Sequence, residues 1–437
     1  MTEKQQLAIQ IVRRLRDSGH EAYFAGGSVR DMVMGRLPED FDVATSASPE
    51  KVQYLFSRTV PVGVQFGVML VVLEGIAFEV ATFRSEGAYS DGRRPDSVSF
   101  ADAREDALRR DFTVNGLFYD PLEDKILDYV GGQEDIRLRR IRTIGDPTAR
   151  FREDKLRLLR AVRFASTLSF EIEKETFEAV KRLAAEIQVV SKERIRDELV
   201  KLLTRPGAGK GLELLSESAL LKVILPEVEA MKGVEQPEAF HPEGDVFVHT
   251  KLMLEKLEHP SIVLAVAALL HDVGKPLTYE MSDRIRFNEH AEIGAELAEE
   301  ILTRLRFSNE EKMQIVACIE NHMRFREVQN MRPAKLKRLL QRETFLEELE
   351  LHRIDCASSH GNLENWEFLK KKLEEYSQEE IRPKPLLTGG DLLALGFRQG
   401  PLIGEILEQL YERQLEGEIL SKEQAFHWVK NRYPKPS

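Results

Sequence analysis

The sequence predicts an α+β protein in which a small mixed-sheet head precedes a long helical remainder. Short apolar runs of strand length, Ala22 to Ala25, Val68 to Leu73 and Phe78 to Phe83, fall in the first part of the chain and are broken by glycine turns. From Arg150 onward the apolar positions recur almost throughout at helical spacing, and a Pro- and Gly-containing stretch from Gly233 to Gly244 interrupts them as a linker. With 437 residues, 42% of them hydrophobic, the chain can bury several cores and divide into two to four domains.

The first helix is expected over residues 3 to 18, where Leu7, Ala8, Ile11, Val12 and Leu15 share a face and Gly19 ends it. The strand Ala22 to Ala25 then runs into Gly26 and Gly27, with a short helical segment through Arg30. Glycines let the backbone approach phosphate oxygens, and a helix N-terminus offers free N–H groups to negative charge. Asp40 and Asp42 flank Phe41, and a strand there puts both carboxylates on one face. Two acids on one face repel unless a divalent cation lies between them, and phosphoryl transfer needs such an ion. Each part alone reads more plainly as a turn or a wet strand edge. Together they assemble the charges that a nucleoside triphosphate with Mg²⁺ requires.

Ser48-Pro49-Glu50 caps a helix through about Phe56, and Glu74-Gly75 turns between two strands, the second of which carries Glu79. Residues 85 to 100 lack periodicity and form a loop long enough to imply a role of its own. Arg109-Arg110-Asp111 is expected to open a helix that continues through Leu117; paired guanidiniums can straddle a triphosphate, and a carboxylate can accept from a ribose hydroxyl. A further helix over Phe151 to Arg163 puts Asp154 and Arg157 on one face, with Arg160 and Arg163 extending the stripe. Such a pair can be a solvated ion pair. It can also read the edge of C or A without a template, since a carboxylate accepts from exocyclic amines and a guanidinium donates to ring acceptors.

The net charge of −11 argues against nucleic acid as a partner until its distribution is counted. Arg137 to Arg163 holds ten basic and three acidic side chains, enough for a cationic surface on an acidic whole. No apolar run approaches a membrane span, the N-terminus lacks a signal pattern, and the two cysteines, Cys318 and Cys356, form no framework, so the expected compartment is the cytoplasm.

The stretch Ala25 to Thr45, continued by Arg109-Arg110-Asp111 and Glu153 to Arg157, resembles the nucleotidyltransferase superfamily that includes DNA polymerase beta. The form it resembles is that of class II tRNA nucleotidyltransferases, the CCA-adding enzymes, and bacterial poly(A) polymerases. The resemblance implies a polymerase-beta-like head in which Asp40 and Asp42, assisted by Glu79, hold two Mg²⁺. One ion would activate the RNA 3′-hydroxyl and the other would stabilise the departing pyrophosphate. It further implies that Gly26, Gly27, Arg30 and Arg110 hold the triphosphate, Asp111 the ribose, and Asp154 with Arg157 the base, beside Arg160 and Arg163. The loop at 85 to 100 stands where this family keeps one needed for the terminal A step, which points away from an enzyme that adds only C. Lys155 stands where the family pattern usually has Pro, outside the base-reading pair, and Ser191 to Leu199 resembles a neck segment that buttresses the base-reading helix.

A second constellation follows the linker. His249, His271-Asp272 and Asp355 match, in order, the ligand set of the HD phosphohydrolase superfamily, and His290 and His322 are available to a second metal. Imidazole and carboxylate donors suit Mn²⁺, Ni²⁺, Zn²⁺ or Fe²⁺. The segment from Leu387 to Gly404 resembles a tail module of bacterial relatives.

These readings give a head over 1–125, a neck for base and RNA recognition over 126–205, a helical body and linker over 206–240, an HD domain over 241–360 and a helical tail over 361–437. The expected function is template-independent addition of C and A from CTP and ATP to the 3′ end of tRNA. A poly(A) polymerase or an A-only enzyme of the same family is the nearest alternative. More distant are an HD phosphohydrolase with a regulatory head and a catalytically silent RNA-binding protein. The sequence leaves the oligomeric state open.

Overall fold

The computed structural model describes residues 2–63, 67–86, 98–237 and 241–433; most of the 85–100 loop lies outside them. The chain forms two compact units, residues 1–229 with 304–306, and residues 230–303 with 307–437.

In the first unit, helix α1 (Glu3–Asp17) is capped by Thr2, whose side chain accepts from the Gln5 amide, and it buries the expected Leu7, Ala8, Ile11, Val12 and Leu15. Strand β1 (Ala22–Ala25), helix α2 (Gly27–Val33), strand β2 (Asp42–Thr45) and helix α3 (Pro49–Leu55) follow. Strands β3 (Thr59–Gly63), β4 (Val68–Leu73) and β5 (Ile76–Thr82) form a meander. Glu74 and Gly75, between β4 and β5, both take positive φ, as a tight hairpin turn demands. A separate antiparallel pair, β6 (Arg84–Glu86) and β7 (Val98–Phe100), leads to helix α4 (Ala103–Leu108), and β8 (Leu117–Asp120) and β9 (Lys125–Asp128) complete the main sheet.

The order of that sheet is β3-β4-β5-β2-β1-β8-β9. Every pairing is antiparallel except β2 with β5, so the sheet is mixed. The parallel register sets Val43 against Val80 and Ala44 against Ala81, which leaves Asp42 and Glu79 neighbours at the next step.

Two helical expectations are corrected. The segment after Arg109 is not a helix through Leu117: Phe112 is extended, only Thr113–Asn115 makes a 3₁₀ turn, and Leu117 begins β8. Leu117 and Phe118 are fully buried, and Phe118 pairs with Ala25 of β1, so sheet burial overrides the local helical pattern. The helix expected from Phe151 to Arg163 breaks in two after α5 (Gly132–Arg137), as α6 (Pro147–Glu153) and α7 (Leu156–Leu168). Asp154 takes extended φ/ψ between them, and its carboxylate accepts from the Leu156 amide at 3.1 Å, a local turn that competes with a continuous helix.

Helix α8 (Lys174–Leu183) packs against α6, and α9 (Lys192–Leu203) and α10 (Ala208–Glu217) pack against α7, followed by the short α11 (Leu220–Ile224) and α12 (Pro226–Glu229). At the start of α10, Gly207 has φ +89°, and a Cβ there would lie 2.3 Å from the Ser166 carbonyl of α7.

The second unit is built on α13 (Val246–Glu255), the wholly apolar α14 (Ile262–Leu270) and α15 (Lys275–Thr278). The hairpin Tyr279–Met281 with Ile285–Phe287 precedes α16 (His290–Arg304), α17 (Asn309–Asn321), α18 (Pro333–Leu340) and α19 (Phe345–Ser358). Helix α14 packs against α13, α17 and α19. One further core gathers Phe325, Leu336, Phe345 and Leu369, and another in the tail gathers Leu387, Leu392, Ile406 and Val429. Among the described residues no helix is long and apolar enough to cross a membrane.

Because Gly207 sets how closely α10 approaches the helix that carries Arg157, Arg160 and Arg163, Gly207→Ala should destabilise the protein by more than about 1 kcal/mol. The expected readout is a lower urea midpoint at unchanged slope; a wild-type midpoint would contradict this packing.

Candidate active site

A cavity of about 850 Å³ in the first unit is lined by Gly26 and Gly27, by Asp42 and Glu79, and by a ring of arginines that includes Arg30, Arg110, Arg157 and Arg160. Asp42 opens onto this cavity while protein packs around its other sides. Burial, then Glu79, then Asp40 raise its carboxyl to about 6, against the pull of Arg110 and Lys4. Phe41 turns the other way into the core, 5.2 Å from the Phe24 ring. Asp40 precedes β2, is largely exposed and is ion-paired with Lys4 of α1. Asp42 and Glu79 line the cavity, with Asp40 two residues before Asp42, and hard oxygen donors of this kind suit a Mg²⁺ site.

The arginines are held by carboxylates that sequence reasoning passed over. Asp106 of α4 is 1% exposed and takes Arg109 at 2.7 Å and Arg110 at 3.0 Å. Burial pushes its carboxyl up, but Arg110 and Arg109 outweigh this and hold it below the usual range. Arg110 also donates to the Asn115 carbonyl, lies over the Phe118 ring, and would touch a Cβ on Gly26 at 3.0 Å. Gly26 has φ +68°, so this turn favours glycine for conformation and for space. Arg30 is buried and bonds Asp31 and Asn115. The signal for Asp106 was present in its spacing, three and four residues before the arginine pair on one helical turn.

Asp111, expected at the ribose, is fully engaged. One oxygen accepts from the Phe112 amide and the Asn115 side chain, and the other accepts twice from Arg160, at 2.6 and 2.8 Å. Burial raises its carboxyl, but Arg160 and Asn115 prevail and bring it down to about 2. Arg163, expected on the base-facing stripe, is buried, donates to Glu198 of α9 at 2.6 Å and lies 4.0 Å over the Phe164 ring. Asp154 pairs with Arg194 at 2.7 Å, and Arg157 pairs with Glu153 at 2.6 Å and donates to the Arg150 and Arg109 carbonyls. Both Asp154 and Arg157 nonetheless line the cavity.

The basic run from Arg137 to Arg163 does not form one cationic face. Arg140 and Arg142 both pair with the fully buried Asp135, Arg150 with Glu153, Arg160 with Asp111 and Arg163 with Glu198. Spacing within the run could not reveal Asp111 or Glu198, which come from other elements.

In the second unit the HD residues converge. His249 Nε2 lies 3.1 Å from Asp355, His271 Nε2 lies 3.0 Å from Asp272, and His290 and His322 lie 3.7 and 3.9 Å from the other Asp272 oxygen. Ligand atoms of His249, His271 and Asp355 fall within 4.8 Å of one another, as do those of Asp272, His290 and His322, and those of His241, Glu243 and His249. Both ring nitrogens of His249, His271 Nε2 and one Asp272 oxygen are buried without an aligned hydrogen bond, so the donor set fits a bound cation. Burial, with His290 and His271 nearby, lowers His322 to about 3, which keeps it in the neutral form that ligates metal. His241 and Glu243 were missed because they fall in the stretch read as a linker. Lys275, buried between Asp272 at 2.7 Å and Gln236 at 2.5 Å, was also missed.

Acids beside a glycine turn on a mixed sheet, with an arginine wall from the helices that follow, define a nucleotidyltransferase. Residues 22–142 match the Poly A polymerase head domain, 169–232 the probable RNA and SrmB-binding site of polymerase A, and 245–358 the HD domain. The chain belongs to the family of CCA-adding enzymes: it is 34% identical to the CCA-adding enzyme of Anoxybacillus flavithermus over 98% of both chains. It is similar, at TM-score 0.73 and 28% identity, to the Bacillus stearothermophilus CCA-adding enzyme in complex with CTP, over 99% of this chain and 98% of that one. The Thermotoga maritima CCA-adding enzyme complexed with tRNA_CCA, 20% identical with TM-score 0.60 over 99% of this chain and 96% of that one, shares the fold. The nucleotidyltransferase and HD domains both imply dependence on divalent metal.

The Asp111–Arg160 pair has a definite pH signature. A carboxyl held at about 2 in the folded protein and near 3.9 when unfolded contributes stability above about pH 4 that disappears as pH falls through 2. Asp111→Asn should therefore cost about 2 kcal/mol near neutral pH, and the gap to wild type in urea unfolding should shrink below pH 4. A gap constant with pH would contradict the pairing.

Proposed function

We propose that this chain adds C and A from CTP and ATP to the 3′ end of tRNA without a template. The observation that carries the reading is the single cavity that joins Asp42 and Glu79 to Arg110, Asp154 and Arg157, in a member of the CCA-adding enzyme family. Asp40, Asp42 and Glu79 would hold Mg²⁺, which when bound lowers the charge barrier to attack by the RNA 3′-hydroxyl and to departure of pyrophosphate. Gly26 and Gly27 bring backbone close to the triphosphate, while Arg30 and Arg110, fixed by Asn115 and Asp106, meet its charge. Asp111 accepts from a ribose hydroxyl by giving up one of its bonds from Arg160. Asp154 and Arg157 present an acceptor and a fork of donors to the base edge, and Arg160 and Arg163 brace that wall. In this scheme residues 1–125 carry the chemistry, 126–205 read base and RNA, 206–240 support them, 241–360 form the HD domain and 361–437 the tail. Two free cysteines agree with a cytoplasmic setting.

The test is labelled CTP and ATP offered with tRNA lacking its terminal nucleotides, and separately with unstructured RNA. Addition of both nucleotides to tRNA alone is expected; long A tracts on any RNA would favour a poly(A) polymerase. Folded Asp42→Ala should lose at least roughly a hundredfold in rate, on the order of 3 kcal/mol. Asp154→Ala and Arg157→Ala should distort the ratio of C to A, by roughly 1 to 3 kcal/mol of lost pairing; an equal loss for both nucleotides would make the pair structural.

A second reading concerns the HD cluster, whose unsatisfied buried donors favour it. The cluster would bind Mn²⁺, Ni²⁺, Zn²⁺ or Fe²⁺ through His249, His271, Asp272 and Asp355, and hydrolyse phosphomonoesters or 2′,3′-cyclic phosphates at damaged RNA ends. Metal analysis should find Asp272→Ala depleted while it still adds nucleotides, with hydrolysis lost only in that variant and retained by Asp42→Ala. Wild type without metal and without hydrolysis would reject this reading.

A further inference from the structure

The histidines of the second unit are held in two different ways. His271, His290 and His322 each set Nδ1 against the backbone carbonyl three residues earlier, of Ala268 at 3.0 Å, Phe287 at 2.8 Å and Ile319 at 2.6 Å. A carbonyl only accepts, so in each neutral ring Nδ1 keeps the proton and Nε2 keeps its lone pair. For His249 the corresponding carbonyl is that of Val246, and it already accepts from the Thr250 hydroxyl at 3.0 Å. His249 instead sets Nδ1 2.6 Å from Glu243 Oε1, close though out of line, and Nε2 3.1 Å from Asp355. The same Glu243 oxygen lies 3.0 Å from His241 Nδ1, and the Glu243 side chain is only 6% exposed.

We infer that Glu243 is the positioning residue that fixes His249 as a metal ligand. The inference rests on the reading of the HD cluster as a cation site and adds a residue to it. A neutral imidazole gives a cation one nitrogen and keeps its proton on the other, and the partner of that other nitrogen decides which is which. Glu243 takes the proton side of His249 and leaves Nε2 to join His271 and Asp355, whose ligand atoms lie within 4.8 Å of it. His249 is fully buried, so bulk water does not reach its ring to stand in for the carboxylate. The chain before α13 folds back on itself to deliver Glu243. The Gln236 amide donates to the Gly244 carbonyl and the Val246 amide to the Val234 carbonyl, while the Asp245 carboxylate accepts from the Gly233 and Val248 amides. Gly244 takes φ +78° in this return. The match to the HD domain starts at residue 245, so the carboxylate comes from outside it.

The test measures Zn²⁺ binding to the full chain in competition with a chromogenic chelator, which registers imidazole sites and leaves the all-oxygen acids of the head unfilled. Glu243→Ala should weaken Zn²⁺ binding roughly ten- to hundredfold at an unchanged number of ions per chain. Glu243→Gln, which keeps an accepting oxygen, should recover part of that loss, and circular dichroism checks the folding of both. Glu235→Ala removes an exposed carboxylate of the same segment and should leave the affinity at its wild-type value. Wild-type affinity in Glu243→Ala, equal weakening by Glu235→Ala, no recovery by Glu243→Gln, or the loss of one whole ion per chain would overturn the inference while the reading of the HD cluster as a cation site stands. A wild type that takes up no Zn²⁺ would overturn both.

Discussion

The first unit is organised by the need to hold many guanidiniums next to one another beside a group of acids. Close-packed arginines repel, and burying them unpaired is costly. The chain answers with three buried carboxylates, each from a different element and each serving more than one cation. Asp106 takes Arg109 and Arg110, Asp135 takes Arg140 and Arg142, and Glu198 takes Arg163 with Arg160 nearby. The pairing fixes where each guanidinium points more than it adds stability, since such pairs roughly balance desolvation against attraction. What the cavity gains is donors set in place before any nucleotide arrives, which is how an enzyme avoids reorganisation during the reaction.

The second unit uses the opposite arrangement. Its imidazoles and carboxylates crowd within a few ångströms of one another, yet several buried donors and acceptors lack aligned partners. In the first unit the buried carboxylates and guanidiniums beside the cavity satisfy one another, while Asp42 and Glu79 line the cavity itself. In the second, the unsatisfied atoms are the deepest ones, with His249 and His271 at 0% and 1% exposure. A closed protein interior tolerates that only if something else completes the polar set.

Much of the fold was legible because its signals are local. Amphipathic spacing located α1 and its buried face, and Glu74-Gly75 marked the hairpin turn. The same local rules failed at Leu117, whose strand is imposed by β1, and at Asp154, where extended backbone and a side-chain bond to the Leu156 amide interrupt an otherwise helical pattern. At the candidate site, Gly26, Asp42, Glu79, Arg110, Asp154 and Arg157 could be picked out by type and order, and they line one cavity. Their partners mostly could not. Glu198 reaches Arg163 across 35 positions and Asp111 reaches Arg160 across 49, distances at which a single sequence carries no pairing signal. His241 and Glu243 were hidden by glycine and proline neighbours that read as a linker.

The break at Asp154 bears on how base choice could be achieved without a template. Had α6 and α7 been one helix, Asp154 and Arg157 would sit on a rigid face and move together. Instead the two are secured by different elements. Asp154 accepts from the Leu156 amide and pairs with Arg194 of α9, while Arg157 is held by Glu153 at the end of α6 and by the carbonyl of Arg109 from the head. In the proposed reading the acceptor and the donor that meet the base edge are each placed by protein contacts, from α9 on one side and from α6 and the head on the other, with no nucleic-acid strand supplying the instruction.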